Sequence, residues 1–198
     1  MSIERSGERL AHVTYLPGVR PQPDRSSAPA ESEERAAELA RAENVSMHAL
    51  TRRDHSRREL ERLLRSRDFD EDVIRHEADR LERVGLLDDV ALAQNLVGVL
   101  QERKGLGRTA IAAELTRRLL SPAAIEYAME LIDSADELAR ARDLAVRRAA
   151  QLASCDRETA ERRLSGYLAR RGYSGSAIRA AVEHALSGRA AEGRVRFR

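Results

Sequence analysis

Residues 60–78 have the sequence LERLLRSRDFDEDVIRHEA, and the spacing of their apolar residues decides the fold of the chain. Five apolar anchors follow one another at intervals of 4, 5, 5 and 4 residues. The same intervals recur in residues 111–129 (IAAELTRRLLSPAAIEYAM) and 164–182 (LSGYLARRGYSGSAIRAAV), which makes them an internal repeat. The anchors are Leu60, Leu64, Phe69, Ile74 and Ala78; Ile111, Leu115, Leu120, Ile125 and Met129; and Leu164, Leu168, Tyr173, Ile178 and Val182.

The anchor spacing predicts two short helices joined by a turn. The first two anchors lie one turn apart on a helix, the third fills the turn, and the last two begin the inner face of the next helix. The residue after the third anchor is a good N-cap in every copy, namely Asp70, Ser121 or Ser174. Pro122 occupies the next helical position, where its missing N–H costs nothing. A longer amphipathic segment precedes each copy, so each repeat is expected to have three helices.

The repeats predict an all-α fold of three tandem three-helix repeats that form an elongated, curved array. Nine helical segments are expected, at 33–51, 56–67, 70–84, 88–104, 107–118, 121–132, 135–153, 157–171 and 174–187. The repeats span 35–85, 86–133 and 134–187. Residues 1–34 hold four of the five prolines and predict a disordered tail, while 188–198 predict a short basic tail. The expected core comprises Leu60, Leu64, Ile74, Ile111, Leu115, Ile125, Leu164, Leu168 and Ile178.

The composition narrows the class of protein. Of the 198 residues 42% are hydrophobic but only 3% are aromatic, which argues against a β-sandwich core and against a base-stacking platform. The single Cys155 excludes an intramolecular disulfide and a cysteine-rich zinc site. No apolar stretch approaches the roughly 20 residues that span a bilayer, and no signal peptide is visible. We therefore expect a cytoplasmic protein without a membrane partner.

Charge is distributed unevenly along the chain. Residues 134–198 contain 14 arginines and 8 acidic residues, whereas residues 31–133 contain 17 basic and 22 acidic residues. The basic C-terminal third favours an anionic partner, although a solvated helical surface of mixed charge would have the same composition. Arg67, Arg118 and Arg171 occupy the same place in each repeat, in the last turn of a helix. They are interpreted either as complements of the helix dipole or as a row of cations.

No residue pattern indicates catalysis. The five histidines and Cys155 lack the spacing of zinc ligands or of a catalytic nucleophile. The loop Lys104-Gly-Leu-Gly-Arg108 lacks the spacing of a Walker phosphate-binding loop. In Gly85-Leu-Leu-Asp-Asp89 the glycine is expected to end a helix, and Asp88 or Asp89 to cap the next one. We therefore expect no enzyme activity, no metal and no cofactor.

Four motifs stand in order along the chain: ALTRRDHSRREL at 49–60, GLLDD at 85–89, RKGLGRTAIAAEL at 103–115 and RRGY at 170–173. Together they resemble the RecX regulatory proteins, which control the RecA recombinase. The chain departs from the family pattern in three places. The Phe-Ala that commonly follows the paired aspartates is Leu92-Ala93, and the glycine of the repeat turn is present as Gly172 but replaced by Asp68 and Leu119.

The resemblance implies a non-enzymatic regulator that binds the RecA–DNA filament. It implies inhibition of RecA ATP hydrolysis, strand exchange and co-protease activity, in recombination, DNA repair and the SOS response. The residues alone leave open a helix-turn-helix DNA-binding regulator, a plain helical scaffold, and direct binding of single- or double-stranded DNA by basic patches. A monomer is expected. The candidate contacts to partner or DNA are Arg58, Arg62, Arg65, Arg103, Lys104, Arg108, Arg162, Arg163, Arg170 and Arg171.

Overall fold

The structure, a computed structural model, describes the backbone of residues 27–192 and the side chains of residues 31–187. Within residues 27–192 there are nine α-helices and no strand, as the repeat pattern predicts. The helices are α1 (Ser27–Leu50), α2 (Arg57–Arg65), α3 (Glu71–Arg83), α4 (Asp89–Glu102), α5 (Arg108–Arg117), α6 (Pro122–Glu130), α7 (Ser134–Ala150), α8 (Arg157–Arg170) and α9 (Gly175–Glu192). Repeats 1, 2 and 3 comprise α1–α3, α4–α6 and α7–α9.

The first helix begins earlier than the sequence predicts. α1 starts at Ser27, inside the segment that its prolines assign to a disordered tail. Pro29 is tolerated there because the amides of a first helical turn have no partner within the helix. Residues 1–26 and 193–198, which carry the rest of the two predicted tails, lie outside the described residues. The chain divides into two units after Ala37, and the apolar cores of all three repeats lie within the second unit.

The predicted caps stand at the predicted helix starts. Ser121 Oγ and Ser174 Oγ each accept a hydrogen bond from the backbone N–H three residues later. Asp70 also occupies an N-cap position, but its side chain accepts no capping hydrogen bond and contributes negative charge at the helix start. α2 begins with a capping box, in which Ser56 and Glu59 each accept a hydrogen bond from the other's backbone N–H.

The turns of the three repeats share one left-handed geometry. The φ angle is 61° at Asp68, 55° at Leu119 and 78° at Gly172. In each turn the N–H of the residue after the left-handed one donates to the backbone carbonyl of the second anchor. This hydrogen bond is characteristic of the Schellman motif at a helix C-terminus. The geometry is thus kept where the family glycine is absent. Leucine pays for this conformation with roughly 1–2 kcal/mol of backbone strain.

Each repeat has its own apolar core, and the first two anchors of every repeat are completely buried. Ile74 is also buried, but the prediction was wrong for Ile125 and Ile178, which are only partly buried. The preceding residues, Ala124 and Ala177, face the core instead. An alanine-lined helix face approaches its neighbours closely, so the bulkier isoleucine beside it stays at the edge of the core.

Candidate functional site

Consecutive repeats are joined where the N-cap of one middle helix meets the turn of the following repeat. At the first junction, Ser56 Oγ donates a hydrogen bond to the backbone carbonyl of Arg118 at 2.8 Å. Asp89, the first residue of α4, accepts hydrogen bonds from the N–H groups of Arg57 at 3.0 Å and Ser121 at 2.8 Å. One carboxylate therefore satisfies the starts of α2 and α6 and ties repeat 1 to repeat 2.

The second junction uses the same positions with a closer backbone contact. The N–H of Gly107, the N-cap of α5, donates to the carbonyl of Arg171 at 2.8 Å, and the N–H of Thr109 donates to that of Gly172 at 3.1 Å. Buried Glu137 accepts a hydrogen bond at 3.0 Å from the N–H of the first residue of α5. Two carbonyls and one carboxylate of repeat 3 thus cap a helix of repeat 2.

Both glycines of the second junction are required by this close approach. A Cβ on Gly107 would lie 2.6 Å from the carbonyl oxygen of Gly172. A Cβ on Gly172 would lie 2.5 Å from the Cβ of Ala110. Real Cβ atoms essentially never come this close to a neighbour, so a side chain at either position would force the repeats apart.

Two glutamates neutralise the cations of the first junction. Glu59 accepts hydrogen bonds from Arg118 at 2.8 and 3.1 Å and from Arg53 at 2.9 Å. Arg117 forms a two-pronged ion pair with Glu114. Burial by itself raises the pKa of Glu59, but the hydrogen bonds from the two arginines and one backbone N–H outweigh it, and the pKa lies below its ordinary value.

The second junction has the same cations without those carboxylates. The repeat register places Ala110 and Tyr167 at the positions of Glu59 and Glu114, and it places Lys104, Arg170 and Arg171 at those of Arg53, Arg117 and Arg118. No described residue forms a salt bridge with these three cations. Arg171 donates to the backbone carbonyl of Lys104, and its guanidinium carbon lies 4.7 Å from the centre of the Tyr167 ring.

These cations line a cleft, here called the junction cleft, where the connection between α4 and α5 meets α7 and α8. Two adjoining hollows of about 440 and 520 Å³ share Arg103, Lys104 and Arg171. Arg140 lines the hollow of about 440 Å³, and its Nε is buried without a hydrogen-bond partner among the described residues. The charged lining residues are Arg103, Lys104, Arg140, Arg147, Arg170 and Arg171, with Glu102 and Asp143 as the carboxylates. This excess of cations suits a phosphate or carboxylate group.

Four of the ten sequence-predicted cations converge in the junction cleft, namely Arg103, Lys104, Arg170 and Arg171. Two of the four, Lys104 and Arg171, come from different repeats and are in direct contact. The sequence order of these residues does not reveal that convergence, because it depends on the packing of repeat 3 against repeat 2.

The other six predicted cations lie elsewhere. Exposed on α2 and α8 are Arg58, Arg62 and Arg162. Three are engaged: Arg65 pairs with Glu71 at 2.6 Å, Arg108 donates to the carbonyl of Ile132 at 2.9 Å, and Arg163 lies 3.4 Å from the sulfur of Cys155. Arg108 is half-buried, and its hydrogen bond to Ile132 lies just beyond the C-terminal end of α6.

Sequence reasoning missed Arg140, Arg147 and Tyr167 of the cleft. A comparison of the repeats position by position would have found the signal, since acidic residues occupy two junction positions in one repeat pair and are absent from the next. Sequence reasoning also missed the role of Asp89. Asp88 caps α4 as predicted, whereas Asp89 accepts hydrogen bonds at the starts of α2 and α6 and so joins two repeats.

The described part of the chain contains neither a candidate metal site nor a candidate membrane-spanning helix. Among residues 31–187 no group of three or more His, Cys, Asp or Glu side chains is placed to hold a metal ion. Of the helices within residues 27–192, none is long and apolar enough to cross a membrane.

Comparisons with known proteins identify the family. Residues 42–81 match the model of the first three-helix domain of RecX, and residues 135–182 match that of the third. Proteins named regulatory protein RecX are 38% identical over 143 residues in Streptomyces coelicolor (72% of this chain, 75% of that protein) and 34% identical over 168 residues in Mycolicibacterium smegmatis (83% and 86%). The crystal structure of RecX from Lactobacillus salivarius has the same fold, with a TM-score of 0.71 and 21% identity over 76% of this chain and 97% of that chain. The chain belongs to the RecX family of regulatory proteins.

Proposed function

We propose that this protein is a non-enzymatic, cytoplasmic regulator of the RecA recombinase. As a monomer it binds the RecA–DNA filament and inhibits ATP hydrolysis, strand exchange and co-protease activity in recombination, DNA repair and the SOS response. Membership of the RecX family supports RecA as the partner. The junction cleft supports the mode of binding, because a nucleoprotein filament offers both acidic protein patches and phosphates.

The observation that carries this proposal is the difference between the two junctions. Arg53, Arg117 and Arg118 form salt bridges with carboxylates, while their counterparts in the junction cleft form none with a described residue. A cluster of like charges destabilises a protein unless it meets an opposite charge. We therefore propose that the cations of the second junction bind an external anion, whereas the arginines of the first junction bind carboxylates of the protein itself.

The test is the inhibition of RecA ATPase on single-stranded DNA by a triple charge reversal, Arg103→Glu/Lys104→Glu/Arg170→Glu. Each exposed ion pair contributes only about 0–1 kcal/mol, so the three reversals together should raise the inhibitory concentration by roughly tenfold or more. Arg171 is left in place because its side chain also holds the backbone of repeat 2. The effect should be larger at low salt.

A matched control reverses three exposed arginines outside the cleft, Arg75→Glu/Arg142→Glu/Arg179→Glu, and changes the net charge by the same amount. The control should inhibit RecA as well as the wild type. Equal inhibition by the cleft variant and the wild type, with both folded by circular dichroism, would refute the junction cleft as the contact surface.

A second variant neutralises the cleft without removing a cation. Ala110→Glu restores the carboxylate that Glu59 provides at the first junction, within reach of the same two cation positions. We expect weaker inhibition of RecA, and circular dichroism verifies that the variant keeps its helices. Undiminished inhibition would mean that the missing carboxylate has no part in binding.

The excess of cations also favours a second candidate function, direct binding of DNA by a helix-turn-helix-type regulator. Phosphate contacts make the affinity fall steeply as salt rises, whereas a plain helical scaffold does not bind DNA at all. Titration of single- and double-stranded oligonucleotides without RecA separates these alternatives. The exposed cations Arg58, Arg62 and Arg162 are proposed as additional contacts, to be tested by the same reversals.

A further inference from the structure

A second cleft, here called the first-repeat cleft, lies between the end of α1 and α2 and has a volume of about 630 Å³. The apolar side chains of Val45, Ala49 and Leu63 line it, together with five basic or imidazole side chains. Those five are Arg52, Arg53, Arg67, His48 and His55, and no carboxylate is in the lining. The volume falls in the range of pockets that bind small ligands.

Two of the arginines are available to an external ligand. Arg53 is engaged by Glu59 at 2.9 Å, but Arg52 and Arg67 are exposed and form no salt bridge with a described residue. The equivalents of Arg67 in the other repeats are both engaged. Arg118 binds Glu59, and Arg171 lies over an aromatic ring. Arg67 instead lies in the lining of the first-repeat cleft.

We infer that the first-repeat cleft binds an acidic peptide segment of a protein partner, with an apolar side chain against Leu63 and carboxylates against Arg52 and Arg67. The apolar lining favours a peptide over a nucleic acid, because none of the lining residues is Phe, Tyr or Trp and can stack on a base as those side chains do. The arginine forks suit carboxylates in two-pronged pairs. This inference does not rest on the proposed function, since binding is measured on the protein alone, without RecA or DNA.

The experiment is fluorescence anisotropy of the full chain with a short fluorescein-labelled peptide of aspartate, glutamate and leucine. The test variant is Arg52→Glu/Arg67→Glu. The matched control is Arg75→Glu/Arg83→Glu, which changes the net charge by the same amount at exposed residues of the same repeat outside the cleft. Circular dichroism verifies that both variants keep their helices.

We expect the test variant to bind the peptide at least about tenfold more weakly than the wild type, and the control to stay within about twofold. A peptide with serine in place of leucine should also bind more weakly, since it loses the contact with the apolar lining. Equal weakening by both variants, or equal binding of the serine peptide, would overturn the inference, as either would mean binding by net charge alone. Binding of a single-stranded oligonucleotide that depends on Arg52 and Arg67 in place of the peptide would overturn it too.

Discussion

Replacing Gly172 by alanine tests the contact that joins repeats 2 and 3. The substitution has two separate costs. Alanine at φ 78° carries a left-handed strain of roughly 1–2 kcal/mol, and its Cβ would lie 2.5 Å from that of Ala110, an overpacking that costs about 1–3 kcal/mol more. The free energy of unfolding should therefore fall by roughly 2–5 kcal/mol, less about 0.4–1 kcal/mol regained because alanine restricts the unfolded chain.

Two further substitutions separate those costs. Gly85 has φ 73°, and no atom lies within 4 Å of the position that an alanine Cβ would take, so Gly85→Ala should show the strain alone. Gly107 has φ −85°, so Gly107→Ala should show the overpacking alone. Urea unfolding of the three variants measures the three values. If Gly172→Ala costs no more than Gly85→Ala, the close approach of the repeats does not exist in solution.

Hydrogen exchange provides an independent measure at the same junction. The amides of Gly107 and Thr109 are protected by carbonyls of repeat 3. Their exchange should accelerate in Gly172→Ala and stay unchanged in Gly85→Ala. Acceleration throughout repeat 2 would instead indicate that the whole repeat unfolds.

Three further predictions concern stability. Asp89→Ala leaves the N–H groups of Arg57 and Ser121 without their acceptor and should cost about 1–3 kcal/mol in urea unfolding, while Asp89→Asn, which keeps one of the two acceptor oxygens, should cost less. The pKa of Glu59 lies below its ordinary value of 4.5, so its pairing with Arg118 stabilises the fold above pH 4.5, and this stabilisation is lost as the pH falls through the lower, folded-state pKa. Glu59→Gln should therefore flatten this part of the profile of unfolding free energy against pH. An unchanged profile would contradict the prediction. Leu115→Ala should cost about 2–5 kcal/mol and Ile125→Ala clearly less, because only the first side chain is fully buried; equal losses in thermal unfolding would mean that α6 is turned differently.

The sequence predicts the helices and most of the core because these depend on local periodicity. The first two anchors of each repeat are separated by one helical turn, and a single face of a helix must be apolar if it is buried. The rotation of α6 and α9 is not local in this sense. Whether Ala124 or Ile125 faces the core depends on how closely neighbouring helices approach, and the apolar pattern is satisfied by either.

The candidate site is predicted in part for the same reason. Clusters such as Arg103-Lys104 and Arg170-Arg171 are visible in the sequence, but their meeting at one cleft depends on contacts such as that between Lys104 and Arg171, which are 67 positions apart. The engagement of Arg118 by Glu59, 59 positions away, is likewise invisible without the fold. Pairing decides whether an arginine is free to bind a partner, and only tertiary structure reveals the pairing.

The unlike junctions restrict which repeat can follow the second. The face of repeat 2 that carries Gly107 and Ala110 accepts only a turn without a side chain, because a Cβ at the position of Gly172 would strike Ala110. The turn of repeat 2 carries Leu119 and is met in repeat 1 by a serine hydroxyl. A leucine turn therefore cannot dock where the glycine turn docks. A gene in which the second repeat was duplicated in tandem would bring a leucine turn onto the Gly107 and Ala110 face, so the two copies would form their helices but would not fit together.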